Sequence, residues 1–524
     1  TFTKTQKTTL PPKAVLQTND LNSYTWDNTI TYKLNSGSHN LTVTGLHSIF
    51  TESTHLTRID VQNLPFRSLW YSVGDGEVTR YESSLEERSI ISYMGRINYS
   101  FKDKYLLTVT GRTDGASVLS PGNKWQFFPS VALAWRLGDE EFIKNTNLFS
   151  DLKLRASYGE VGNSSVDPYQ TQSSIAQSQY DFGGSSANGY SINNLANKNL
   201  VWERSKELNL GINMGLFNNR ISTSIEIYNR KTVDLILPDK LPNSTGFTDV
   251  IANVGEIQNS GVEILLNTVN IAKADFKWSS TITFTKNKNE VTKLTGGLTE
   301  DIGNNRFVGE AVNALYYYEV AGIWQTEESD AADAFGLKPG NIKFVDQNGD
   351  SKITDADDRV IVGNQSPSFL LGVRNMVNYK NFDFSFFMYT RQGVQWVSSY
   401  LTGTMGDISS DRYNGDATLN FWTSTNPTND YYGLAGPGGS GKTPRNSISV
   451  VDANFVRISD ITFGYTLPGN VLDKLGLGNL RVYAQASNPF LFTNVKGLSP
   501  EYNSGTNSDD VPSATYLLGL NVSF

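Results

Sequence analysis

Not one cysteine occurs in the 524 residues. That excludes a disulfide framework and any thiolate metal site, and it suits an exported bacterial envelope protein. No apolar run reaches the roughly eighteen residues of a spanning helix. Hydrophobic residues make up only 38% and mean hydropathy is −0.35, which rules out a helical membrane protein. A β-barrel is not ruled out, because it confines its apolar side chains to alternate positions. A cationic surplus is lacking too: net charge −8 and a pI near 5.2 leave nucleic acid without an electrostatic footprint. The opening TFTKTQKTTLPPK has no apolar signal-peptide core, so the expectation is that a signal was removed or that the chain starts inside a longer polypeptide. With no G-x-S-x-G elbow, no H-E-x-x-H and no cysteine nucleophile, nothing points to an enzyme. The 52 Asp and Glu could form carboxylate pairs anywhere and discriminate nothing.

What is present is a two-residue beat. In ELNLGINMGLFNNRISTSIEIY, 207–228, Leu208, Leu210, Ile212 and Met214 alternate with Asn209, Gly211 and Asn213, and beyond a polar turn Ile225 and Ile227 flank Glu226. Such alternation marks a strand with one apolar and one wet face. Reading for it throughout predicts about fifteen strands, at 22–34, 40–54, 88–101, 104–114, 126–137, 151–160, 204–216, 220–231, 256–268, 275–289, 367–378, 381–392, 453–467, 479–488 and 515–524. Connections alternate between short ones (such as FKDK, FNN and YKN, and the helix-sized GDEEFIKNTNLFS) and long ones at 55–87, 115–125, 161–203, 232–255, 290–366, 393–452 and 490–514. A sandwich has no reason to sort loops by length. A transmembrane barrel has short periplasmic turns and long extracellular loops.

The fold expected is therefore all-β, a transmembrane antiparallel barrel with Leu208, Leu210, Ile212, Met214, Ile225 and Ile227 toward lipid and Asn209, Asn213 and Glu226 toward water. An odd strand count would leave first and last strands parallel, whereas such barrels close with an even number. The expectation is that the chain is incomplete at its N-terminus, with residues 1–21 the end of a severed extracellular loop and 22–524 the C-terminal part of the barrel. Trp125, Phe127, Trp135, Trp202, Tyr228 and Trp278 fall near strand ends, where aromatic girdles belong.

Several segments resemble the SusC/RagA family of TonB-dependent outer-membrane transporters of Bacteroidetes. YLLTVTGRTDGASVLSPGNKWQFFPSVALAWRLGDEEFIKN followed by DLKLRASYGEVGN, 105–163, looks like that family's barrel signature. LVWERSKELNLGINMGLFNNRISTSIEIYNRKTVDLIL, NVGEIQNSGVEILLN, GNIKFVDQNGDSKITDADDRVIVGN, NFVRISDITFGYTLP and ASNPFLFTNVKGLSPEY follow in the family's order. The resemblance implies a 22-stranded barrel, an N-terminal plug, a TonB-binding segment and a SusD-like surface lipoprotein as lid, with a dimer of transporter–lid pairs as the assembly. This chain shows neither plug nor TonB-binding segment, so TonB would act through the rest of the transporter. Membrane lipid is an expected partner and nucleic acid is not.

Three motifs carry possible chemistry. GPGGSGKT, 436–443, matches a P-loop letter for letter, but DYYGLA before it is no buried strand and Pro444 follows, so ATP is not expected. DQNGDSKITDADD, 346–358, has calcium-loop spacing: Asp346, Asn348 and Asp350, the Lys352 carbonyl, and Asp357. Ser351 replaces the usual Gly and Asp357 the usual Glu, and a bound Ca2+ would be structural, stiffening the 290–366 loop. His39, His47 and His55 share one side of a strand by spacing and read as lumen or surface residues rather than metal ligands. Substrate or lid contact falls to loop aromatics, namely Trp324, Trp396, Trp422, Tyr431 and Tyr432, with Tyr316 to Tyr318 beside the calcium-like loop.

The leading functional expectation is active uptake of an oligomeric nutrient, with glycan oligosaccharides ahead of peptides. Passive diffusion through a porin is the alternative, and a soluble β-sandwich lectin or adhesin a more distant one.

Overall fold

The computed structural model describes residues 12–66, 68, 71–398, 420–433, 446–495, 499–501 and 513–524. Fifteen strands are hydrogen-bonded in chain order in one sheet: β1 Lys13–Ser36, β2 His39–Gln62, β3 Glu77–Phe101, β4 Tyr105–Ala116, β5 Trp125–Arg136, β6 Phe149–Asn163, β7 Glu203–Leu216, β8 Ile221–Val233, β9 Glu256–Ala272, β10 Phe276–Lys293, β11 Phe369–Tyr379, β12 Phe382–Gln392, β13 Phe455–Thr466, β14 Asn479–Thr493 and β15 Thr515–Ser523. These are the fifteen that alternation predicts. Among the described residues no helix is long and apolar enough to cross a membrane, which leaves strands as the spanning elements. Two compact units are built on this sheet, Thr1–Leu133 with Ser157–Lys206 and Thr232–Val254, and Ala134–Ala156 with Glu207–Lys231 and Gly255–Phe524.

Register sorts each unit's side chains into two faces. In the first, Tyr32, Val43, Ile97 and Val109 oppose one another across β1 to β4, while the next rung reads Lys33, Thr42, Asn98 and Thr108. In the second, Val377, Phe384, Phe463, Ala484 and Leu518 form an apolar rung across β11 to β15. The rung beside it carries Asp383, whose carboxylate accepts from Arg481 Nε at 2.9 Å. Leu208, Leu210 and Ile227 are exposed on the apolar side. Asn209, Asn213 and Glu226 lie on the other, where Arg155 donates to Asn213 and Glu226, each at 2.8 Å. The answer to the sequence's beat is thus a sheet with an apolar face for hydrocarbon and a polar face that a barrel turns inward.

Girdle aromatics divide. Trp125 and Phe127 are more than half exposed on the apolar side of β5. Trp26, His47, Tyr93 and Trp125 stand in a row across four strands with ring centroids 5.0 to 6.4 Å apart. His47 therefore belongs to the lipid-side girdle, and His39 stacks on Tyr99 of the same face at 6.0 Å. A second row, Phe276, Tyr379, Phe382 and Tyr465, marks the short-turn ends of the other unit. Trp202 and Tyr228 are corrections. Trp202 is 4% exposed inside a cluster with Leu119, Phe128 and Leu200, and its indole donates to the Lys124 carbonyl at 2.8 Å. Tyr228 shares the polar face with Glu226 and donates to Asn287 at 2.7 Å.

A further difference is length. The strands β1, β2 and β3 contain 24, 24 and 25 residues, roughly twice the nine to eleven that cross a bilayer. Residues 13–21, expected in a loop, are the start of β1, and 55–62 and 77–87 are strand as well. Short connections stay short, two of them as helical turns, Glu141–Lys144 and Gly469–Leu475. Long loops fold on themselves, with hairpins Ile175–Phe182 to Ser185–Ile192 and Ile236–Lys240 to Asp249–Asn253.

Face assignment predicts an asymmetric response to charge. Ile212→Arg should lower unfolding free energy in lipid vesicles by about 2–4 kcal/mol. Ser222→Arg, on the polar side, should change it by less than about 1 kcal/mol. Urea titration followed by tryptophan fluorescence reads both.

Candidate functional site

Each unit carries a cleft with charged side chains toward the long-loop ends of its strands. In the first, a cavity of about 740 Å³ is lined by Ser23, Glu52 and Arg88, with Ser117 and Tyr169 from the loops. Register places Ser23, Glu52 and Arg88 on one rung, and Arg88 pairs with Glu52 at 2.7 Å. Below it Arg112 bonds Asp114 and Ser92, each at 2.8 Å.

In the second, a cavity of about 560 Å³ is lined by Thr283, Thr285, Phe387, Tyr389, Arg391, Phe455 and Glu501 among others. Alternation in β12 puts Phe387, Tyr389 and Arg391 on the polar face, and Tyr389 opposes Arg457 of β13. Arg457 is 3% exposed and forms an ion pair with Glu501 at 2.6 Å. Tyr389 donates its hydroxyl to the same carboxylate, and Ser499 approaches it at 3.4 Å. Arg391 donates to the Pro500 carbonyl and stacks over Trp396 and Phe455 at 4.7 and 5.3 Å. A buried carboxylate and guanidinium stabilise each other only with such partners, so residues 499–501 are clamped onto the wall by charge.

Most of the loop aromatics are buried. Trp324, Trp396, Tyr431 and Tyr432 are 6%, 9%, 4% and 2% exposed. Tyr431 and Tyr432 pack with Tyr318, Ile323, Ile342 and Phe344, against which Trp422 also lies. Trp324 packs on Ala332 and Leu337 and Trp396 on Val394 and Ala453. Trp422 donates to Gln325 at 2.9 Å and fits only because Gly340, at φ +88°, has no Cβ to meet its ring. Four of these rings are thus cores of folded loops, and Trp422 is half-buried against one of them. Burial and a hydrogen bond to Asp355 push the Tyr318 hydroxyl up, and Lys343 holds the Glu328 carboxyl low through a 2.6 Å ion pair.

The calcium-like loop is closed by its own side chains. Asp346 accepts from the Gly349 and Ser351 N–H groups, both at 2.7 Å, Asn348 from Asp350 at 3.1 Å, and Asp350 from Lys352 at 2.8 Å. Asp357 accepts from the Thr354 hydroxyl at 2.9 Å. The buried acid is its neighbour Asp358, which accepts from the Gln347 and Thr354 N–H groups. Ser351 adopts φ +62°, the left-handed geometry for which a calcium loop uses Gly. Among the described residues no three Asp, Glu or His gather as metal ligands, so Asp346, Asp350 and Asp357 do not converge as they stand. The 436–443 glycine loop lies outside the described residues.

Tyr389, Arg391, Arg457 and Glu501 were not singled out by sequence. The signal for the first three is an inward-phase polar or charged residue in an otherwise apolar strand. For Glu501 there is none, since its pairing depends on a loop returning to the wall. Glu501→Gln should destabilise the protein by about 3 kcal/mol, as expected when a buried arginine loses its carboxylate. Adding Arg457→Met should recover part of that loss, read by the same urea titration.

Comparison with known proteins agrees with this geometry. Residues 2–381 match the family described as TonB dependent receptor-like, beta-barrel. TonB-dependent receptor P3 of Formosa agariphila is 35% identical over 95% of this chain and 52% of its own length. TonB-dependent receptor SusC of Bacteroides thetaiotaomicron is 33% identical over 86% of this chain and 45% of its own length. The RagAB peptide importer in its open-open state superposes with a TM-score of 0.81 at 25% identity, covering 98% of this chain and 56% of that one. The chain thus spans about half the length of these relatives. Family match, sheet order and apolar face together make it a member of the TonB-dependent receptor β-barrel family, SusC/RagA-like and integral to the outer membrane.

Proposed function

We propose that this chain forms part of the wall of an energised importer of oligomeric nutrients. The observation that carries the reading is the polar face that each unit presents, with an arginine–carboxylate pair in a cleft at the long-loop ends of its strands, where cargo would enter. A wall of this kind supplies hydrogen bonds and charge to a passing oligomer and no covalent chemistry. TonB acts through a plug on the rest of the transporter, and a SusD-like surface lipoprotein covers the loops, with transporter–lid pairs assembled as dimers. Glycan oligosaccharides are the first cargo class. Peptides are the second, favoured by the structural likeness to a peptide importer. A structural Ca2+ at Asp346, Asn348, Asp350, the Lys352 carbonyl and Asp357 belongs to the same proposal. It requires Asp357 to leave Thr354, and a calcium-dependent rise in melting temperature that Asp350→Asn abolishes would support it.

Uptake of fluorescent oligosaccharides by cells with and without the transporter tests the central reading. Uptake should vanish on deletion and on collapse of the proton gradient. Uptake that survives uncoupling would indicate a passive porin, and uptake of labelled peptides alone would select the second cargo class.

A further inference from the structure

The cleft between β10, β11, β12 and β13 holds more positive than negative charge. Arg391 and Arg457 meet a single carboxylate, Glu501, and Glu501 already accepts from Arg457 at 2.6 Å and from Tyr389. What Arg391 receives in return is the neutral Pro500 carbonyl and two aromatic faces. Among the described residues no carboxylate lies within ion-pair distance of Arg391, and its Nε is a buried donor without an acceptor. Arg374 adds a third guanidinium to the same face, 5.4 Å over the Phe387 ring. In a chain of net charge −8, a surplus cation held in a cavity of about 560 Å³ beside Thr283, Thr285 and Phe387 is a local feature with its own chemistry. Burial of a guanidinium that shares one carboxylate at longer range with a second arginine is costly, and a planar carboxylate is the group its donor fork fits.

We propose that this cleft is a carboxylate-binding site centred on Arg391. It would take an acidic unit of the cargo, the uronate of a glycan or the free carboxylate of a peptide. Threonine hydroxyls of β10 and the Phe387 and Phe455 rings would then meet the neutral remainder of the same unit. Trp396 and Phe455 hold the guanidinium plane, so the fork is oriented before the ligand arrives. The proposal deepens the import reading and rests on it for the claim that the acidic group belongs to cargo.

The test uses the full outer-membrane protein that carries this chain, purified in detergent. Two matched pairs of probes are titrated calorimetrically: trigalacturonic acid against its methyl ester, and a tetrapeptide with a free against an amidated C-terminus. For at least one pair the acid should bind about tenfold or more tighter, the scale of one charge-assisted contact. Arg391→Gln should bring that ratio to about one and leave the neutral probe's affinity where it was, and Arg391→Lys should retain part of the preference. Which pair shows the effect identifies the source of the carboxylate. Heat-modifiable gel mobility certifies that each variant is a folded barrel. Equal affinity for acid and neutral probes, a preference that survives Arg391→Gln, or no binding of either acid would overturn the site. Equal affinity of the unaltered protein for acid and neutral probes with uptake intact removes the site alone, whereas a carboxylate preference without energised uptake removes the import reading instead.

Discussion

Everything in this structure follows from the requirement that a backbone in hydrocarbon pair its own N–H and C=O groups. Each unpaired group in the bilayer core costs several kcal/mol, and strands meet the requirement only through their neighbours. Pairing then imposes a period of two, because successive side chains stand on opposite faces. The apolar rung Val377, Phe384, Phe463, Ala484 and Leu518, with its neighbour at Asp383, is that constraint written in side chains. A slip of one residue in β12 would turn Asp383 into lipid, and one in β14 would do the same to Arg481.

The same constraint explains what can be read from sequence. All fifteen sheet strands and the sorting of loops by length are legible because hydrocarbon on one side and water on the other leave a period that no local context hides. The excess length of β1 to β3 is not legible, since EVTRYESSLEER, 77–88, has charge on both faces and alternation fades once both faces are wet. Trp202 and Tyr228 look like girdle residues by position, and only packing shows the first in a loop-end cluster and the second on the polar face. Loop aromatics are ambiguous in sequence for a related reason. A tryptophan in a polar loop has the same sequence surroundings whether it greets a ligand or, like Trp324, builds the core of a folded insertion.

The cleft around Tyr389 shows how the wall is tied to its loops. Arg457 and Arg391 occupy inward positions that would be costly to desolvate alone, and the return of 499–501 brings Glu501 and the Pro500 carbonyl to them. Position on the sheet and position in the loop thus specify each other. Charge also sets what this face can recognise, since groups complementary to a fixed guanidinium are favoured and cationic ones repelled. Chemistry of this kind needs no catalytic group, in keeping with a family of receptors and transporters.

The solvent assigned to each face is the claim on which the remainder stands. Because the chain has no cysteine, single cysteines at each position from 208 to 216 can carry nitroxide labels one at a time in vesicles. Collision rates with oxygen, enriched in lipid, and with a water-soluble nickel chelate should alternate with period two and opposite phase, oxygen peaking at 208, 210, 212 and 214. Uniform access of the nickel chelate along the strand, or the reverse phase, would contradict the account.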